Sequence, residues 1–315
     1  MDRLWKECEK NAQSRKGTIF IMHSSDRRNY GTAEDGNPIG VGKPETKAPT
    51  RGQYLLGLLV IFASVFSQYV VTGLDLVTKT LIVYGVPLLV ISLIWGRQII
   101  AKAFKNSGTA AKYGLGFFGG FTVLGIFLAA IILVVILRFD ASAIDALYMP
   151  NPTLDVPPEF AWVMVWVSIL VIGPVEEYLF TGFVYGGLLS LSKNRYWLGL
   201  ALISSTLFSI AHMYYALIYG LISVVLFIML LSFGMAMAAT FYTSKGNLII
   251  PAILHGVYDA SAFFGIATSI DATVLIRGAM ILTGIVIAIV LFVKRNQRTK
   301  TPITPTSGIP IPASQ

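Results

Sequence analysis

From residue 54 to residue 293 the chain is a succession of long apolar stretches separated by short polar breaks. A helix needs about 20 apolar residues to cross the hydrocarbon of a bilayer. The stretches 54–72, 80–96, 114–137, 160–189, 196–213, 215–242, 247–266 and 273–293 are predicted to be such spans. Eight spans put both ends of the chain on one side. The fifth and sixth are separated only by "HMYYA", so one of them is expected to be tilted or broken. The third carries a GxxxG pattern, Gly116 to Gly120, whose use is helix packing. The fold class expected is all-α: a polytopic transmembrane helix bundle of about eight spans over residues 53–294. A polar cytoplasmic tail, 1–52, precedes it, with ten Lys/Arg and seven Asp/Glu and the composition of a disordered segment. A Pro-rich tail, 295–315, follows it.

Composition strengthens this reading. Hydrophobic residues make up 55% of the chain and charged ones 13%, against roughly 25% charged in soluble domains. The net charge of +8 would suit nucleic acid, but its distribution fits a bilayer better. With the N-terminus cytoplasmic, 21 of the 24 Lys/Arg fall in inside segments, and only Lys79, Arg138 and Arg277 lie toward the outside. The connection between the third and fourth spans holds Asp140, Asp145, Asp155 and Glu159 and no base. Cytoplasmic loops carry such a Lys/Arg excess, so both termini are expected in the cytoplasm and no nucleic-acid partner is expected. The polar start shows no signal-peptide pattern. The single cysteine, Cys8, excludes a disulfide framework and a cysteine metal site.

Ionisable groups inside spans are costly and mark function by default. Apart from Arg277 near the outer end of the last span, they are Glu176, Glu177, His212, His255 and Asp259. His255 and Asp259, four apart in "HGVYD", share a helix face, as do Phe208 and His212 in "FSIAH". Glu176 and Glu177 differ by about 100° around a helix, so one can face a reaction centre while the other meets a structural partner. At 1.5 Å per residue, Glu176, His212, His255 and Asp259 lie roughly 12 to 24 Å from the cytoplasmic ends of their helices. Three helices can therefore bring them together near the membrane centre. A carboxylate beside an imidazole can deprotonate a water, and a second imidazole can donate to a developing oxyanion. Read singly, the acids also suit an ion pathway, His212 an interhelical hydrogen bond, and His255 with Asp259 a proton relay, so a proton-coupled carrier is a further reading.

In chain order, "EEYLFTG", "FSIAH" and "HGVYD" resemble the three motifs of the CPBP family, the CAAX proteases and bacteriocin-processing enzymes also called Abi. That pattern is EExxxR, FxxxH and HxxxN or HxxxD. The likeness covers residues 158–265, the motif-bearing core. It implies an α-helical intramembrane endopeptidase of the glutamate type in the prokaryotic plasma membrane. Its substrate would be a membrane-bound peptide or protein, such as a prenylated C-terminus or a bacteriocin-like precursor. Carried over, Glu176 activates the water with His212, and His255 and Asp259 form the oxyanion side. Glu177, Thr181 and Phe208 support them. The family implies no cofactor, with zinc at Glu176, His212 and His255 as the runner-up. One departure stands out: Thr181 occupies the arginine position, where an i,i+4 partner of Glu177 is expected. Glu177 then needs a shared proton or the reach of Arg277, or the site is degenerate and the protein a membrane scaffold, immunity or regulatory factor.

Overall fold

The computed structural model describes residues 48–70, 76–148, 156–193, 195–268 and 272–300. Most of the two expected tails, with Cys8, lies outside these residues. Among them there is no strand. We number the helices α1 (Arg51–Val70), α2 (Thr78–Ala103), α3 (Ser107–Phe139), α4 (Pro158–Leu191), α5 (Trp197–Ala211), α6 (Ser223–Thr243), α7 (Ile249–Thr268) and α8 (Ala272–Lys300). Among the described residues, six helical segments are long and apolar enough to cross a membrane, one of them being Tyr215–Thr243, which ends in α6. The apolar stretches Arg51–Ser67 and Trp197–Ala211 are shorter. The eight expected stretches thus appear, among the described residues, as six helices of spanning length and two shorter apolar ones. The last helix also continues past residue 294 into the expected tail.

The shortness of α5 has a local cause. Its 15 residues make about 22 Å of helix, and the chain then turns at His212 to Tyr214. A five-residue helix (Tyr215–Tyr219) and a 3-10 turn (Gly220–Ile222) lead into α6. Gly220 sits at φ +52°, a left-handed position that glycine adopts without strain. His212 therefore lies just past the end of a broken helix rather than inside a continuous span.

Two helices depart from α geometry where they carry proline. Pro174 and Pro87 have no N–H to give the preceding turn. Each follows a π-helical turn, Ser168–Ile172 in α4 and Leu81–Gly85 in α2. A second π stretch, Glu177–Tyr185, continues α4. Such turns recur at functional sites, and here they carry Tyr84 and Glu177.

The core packs α3 against α6 and α8, α5 against α6, and α4 against α7. Trp95, Phe118, Phe180, Phe183, Phe208 and Phe233 fill it. Between α3 and α8 the backbones approach closely where Gly119 meets Gly284; a Cβ on Gly119 would lie 2.6 Å from the Gly284 carbonyl carbon. Gly116 has ordinary contacts with α8 and Gly120 has none, so the GxxxG pair itself does not make the crossing. The connection after α2 and the one before α7 are tied together. The Leu248 N–H donates to Ala103 O (2.9 Å), and Asn106 Nδ2 donates to Ser244 O (2.9 Å). Two of the basic connections thus share one end of the bundle. The turn Ala141–Tyr148 after α3 packs against Gly220–Ile222 at the other end.

The contact that positions the site is between α4 and α7. A Cβ on Gly173 would lie 2.6 Å from Gly256 N, and one on Gly256 would lie 2.7 Å from Ile169 Cα. Both clashes are with backbone, so neither can be relieved by a side chain turning away. We expect Gly256→Ala to force the helices apart at a cost of about 1–3 kcal/mol. Thermal melting in detergent should fall by several degrees. A melt equal to wild type would show that the crossing tolerates a methyl group.

Candidate active site

The crossing sets α4 and α7 so that both acids of "EE" reach His255. Glu177 Oε1 lies 2.8 Å from His255 Nδ1, and Glu176 Oε2 lies 3.5 Å from His255 Nε2. One turn further along α7, Asp259 Oδ2 lies 3.3 Å from the same Nε2. The broken end of α5 brings His212, whose Nε2 is 3.7 Å from Glu176 Oε2. The five ionisable residues thus form one cluster around a single imidazole. The two glutamates diverge beyond it, because they are neighbours on a helix.

Hydrogen bonds fix the protons. His212 Nδ1 is 2.9 Å from Phe208 O. A carbonyl only accepts, so Nδ1 carries the hydrogen, and in the neutral ring Nε2 presents its lone pair toward Glu176. His255 has carboxylate oxygens at both ring nitrogens. A neutral imidazole offers one donor, so His255 is either an imidazolium or shares a proton with Glu176 or Asp259. Its edges meet two aromatic rings, Phe233 at 4.8 Å and Phe208 at 5.9 Å between centroids. Phe208 also stacks beside His212, 4.6 Å away. These walls keep water from the ring and hold its orientation.

Exposure is graded across the cluster. The side chains of Glu176, Glu177 and His255 are buried, that of His212 is 17% exposed and that of Asp259 33%. An approach to the cluster therefore runs along the Asp259 and His212 edge. Glu176 Oε2 makes no hydrogen bond despite its burial. It is the one carboxylate oxygen that faces both histidines and still has its acceptor capacity to use.

The arginine question has a structural answer in part. Thr181 is buried beside Glu177 and lines the same small cavity. Arg277 does not take the arginine's place. Its Nε donates to Ser261 Oγ (2.9 Å), one Nη donates to Tyr258 O (3.3 Å), and its guanidinium stacks on the Tyr258 ring at 4.0 Å. The counter-group of Glu177 is His255.

Two site residues escape sequence reasoning. Tyr84, in the π turn of α2, donates its hydroxyl hydrogen to Glu176 Oε1 at 2.8 Å. Phe233, on α6, forms the wall against His255. A tyrosine in an apolar span signals that its hydroxyl needs a partner, but nothing local says which. Phe233 carries no signal apart from the core pattern. Among the described residues, no three His, Cys, Asp or Glu side chains are placed as a metal-holding group.

Residues 158–261 match a family model described as Type II CAAX prenyl endopeptidase Rce1-like. This stretch contains all three motifs, and over it the chain is similar to that family of membrane proteases. No curated protein and no solved structure matches the chain.

Tyr84→Phe leaves Glu176 Oε1 buried without its donor. The cost expected for an orphaned buried acceptor is about 1–3 kcal/mol, read as a lower melting temperature in detergent with the helical content unchanged. Melting identical to wild type would show that the bond does not form.

Proposed function

We propose, from the match to the CAAX prenyl endopeptidases over residues 158–261, that the chain is an intramembrane endopeptidase of the glutamate type. It hydrolyses a peptide bond in a membrane-associated peptide or protein, a prenylated C-terminus or a bacteriocin-like precursor. The observation that carries this reading is the free Glu176 Oε2 between His212 Nε2 and His255 Nε2, 3.7 and 3.5 Å away. A water bonded there has a base on one side and a hydrogen-bond donor on the other.

In this reading Glu176, held by Tyr84, takes the proton of the water as its oxygen attacks the carbonyl carbon. His212, with its lone pair on Nε2, accepts from the same water and aims it. The carbonyl oxygen becomes an oxyanion, which the Nε2–H of an imidazolium His255 meets. Glu177 holds this ring by Nδ1, and Asp259 lies beside Nε2. The proton on Glu176 then passes to the leaving amine, which restores the carboxylate and releases two fragments. The peptide enters along the half-open Asp259 edge. The protein is a multi-pass membrane protein with both termini on the cytoplasmic side, the side favoured by the Lys/Arg distribution.

A second reading is a family member without activity, serving as a scaffold, immunity or regulatory protein. Thr181 in the arginine position favours it.

The test is cleavage of prenylated peptides and a membrane-peptide library by purified protein in detergent, with Glu176→Gln and a chelator-treated sample alongside. Loss of a general base typically removes a factor of about 100 or more. We expect that loss in Glu176→Gln, with an unchanged melt, and full activity with chelator. Loss of activity with chelator would move the chemistry to zinc on Glu176, His212 and His255. No cleavage by folded wild type, with cleavage gained in Thr181→Arg, would establish the inactive reading.

A further inference from the structure

Glu177 places one carboxylate oxygen on His255 and leaves the other, Oε2, buried with no hydrogen bond. The residue is 3% exposed. Across from it on α5, Ser205 is 2% exposed and its hydroxyl is equally unbonded. Two orphaned polar atoms at one place are unusual, because buried polar groups nearly always find partners. Both residues line one small cavity, and Thr181 and Ser204 line it too. It has about 10 Å³ of room for a water's centre, close to the roughly 10–15 Å³ that one water needs.

The lining supplies what a water requires. It must find two to four polar partners, and four polar residues, Glu177, Thr181, Ser204 and Ser205, line this space. Their capacities are complementary. Ser204 sends its own hydrogen to Phe180 O, 3.4 Å away, which leaves its oxygen as an acceptor. Ser205 and Thr181 have hydrogens to give, and Glu177 Oε2 can only accept. A Cβ on Gly234 would lie 2.9 Å from Ser205 Oγ and 3.0 Å from Ser205 Cβ. The bare glycine lets α6 close tightly behind Ser205, which keeps the hydroxyl at the cavity.

We propose that Thr181, Ser204 and Ser205 hold a water that bonds Glu177 Oε2, a neutral cradle standing where the motif arginine would bring a charge. The water gives one hydrogen to Glu177 Oε2 and the other to Ser204 Oγ, and it accepts from Ser205 and Thr181. Both orphaned atoms of the cavity, Glu177 Oε2 and Ser205 Oγ, then have a partner. Thr181 and Ser205 act as positioning residues. They hold the Glu177 carboxylate, which holds His255 by its Nδ1. The consequence for cleavage rests on the endopeptidase reading of this site; the water itself does not.

The test is a double-mutant cycle on thermal melting in detergent, with Thr181→Val, Ser205→Ala and the pair. Both single variants should lower the melting temperature. The pair should lose clearly less than the sum, because either change alone already deprives the water of its hold. Thr181→Ser keeps the hydroxyl and should melt as wild type does. Additive losses, or a Thr181→Val melt equal to wild type, would overturn the proposal. If Thr181→Val does not fold, a high-resolution crystal structure of the wild type decides. Density for a water within hydrogen-bond distance of Glu177 Oε2 and Ser205 Oγ supports the proposal, and an empty cavity overturns it. Coupling in a protein that cleaves nothing would keep the water and remove the protease, whereas cleavage without coupling would do the reverse.

Discussion

At the crossing of α4 and α7 two helix backbones touch with no side chain between them, at Gly173 and Gly256. A glycine in a helix costs about 0.5–1 kcal/mol relative to alanine, and two are placed at this contact. Gly173 is three residues before Glu176 and Gly256 directly follows His255, so the helices are closest where the acids meet the imidazole. A Cβ at either position would overlap backbone atoms of the other helix. The 2.8 Å separation of Glu177 and His255 is therefore set by main-chain packing, not by the flexibility of long side chains. The rest of the site hangs on that spacing: α5 ends against it, and α2 supplies a hydroxyl to it.

The same closeness creates an electrostatic problem. Three carboxylates surround one buried ring, and charges taken out of water need good geometry to be tolerated. The arrangement offsets this cost by giving different acids different partners. Glu176 takes the Tyr84 hydroxyl on one oxygen, Glu177 takes His255, and Asp259 stays partly exposed. Phe208 and Phe233 close the apolar side. Arg277, the nearest candidate for a compensating charge, is committed to Tyr258 and Ser261.

What the sequence reveals of this molecule follows from the range of each signal. Hydropathy is local, so the helices stand where the apolar stretches predict them, with ends displaced by as much as two turns. Spacing along one helix is also local, so the shared face of His255 and Asp259 is legible, as is the divergence of Glu176 and Glu177. The convergence of three helices follows only because ionisable groups in spans must find one another. The break at His212 is half visible in the short "HMYYA", but the contact of its ring nitrogen with Phe208 O is not. Tyr84 and Phe233 are invisible because their partners lie 92 and 22 residues away. No pattern within a helix encodes such a pairing. The GxxxG in α3 misleads in an instructive way: the register of the crossing selects Gly119, which the pattern passes over.

The hydroxyl that holds Glu176 comes from a helix outside residues 158–261. The recognisable stretch is therefore not a self-sufficient unit. Moved alone into another scaffold, it would bring the acids and histidines but leave the anchor of Glu176 behind. The boundary of detectable likeness and the boundary of the working site do not coincide. A change at Tyr84 would remove the donor to Glu176 without altering any motif letter.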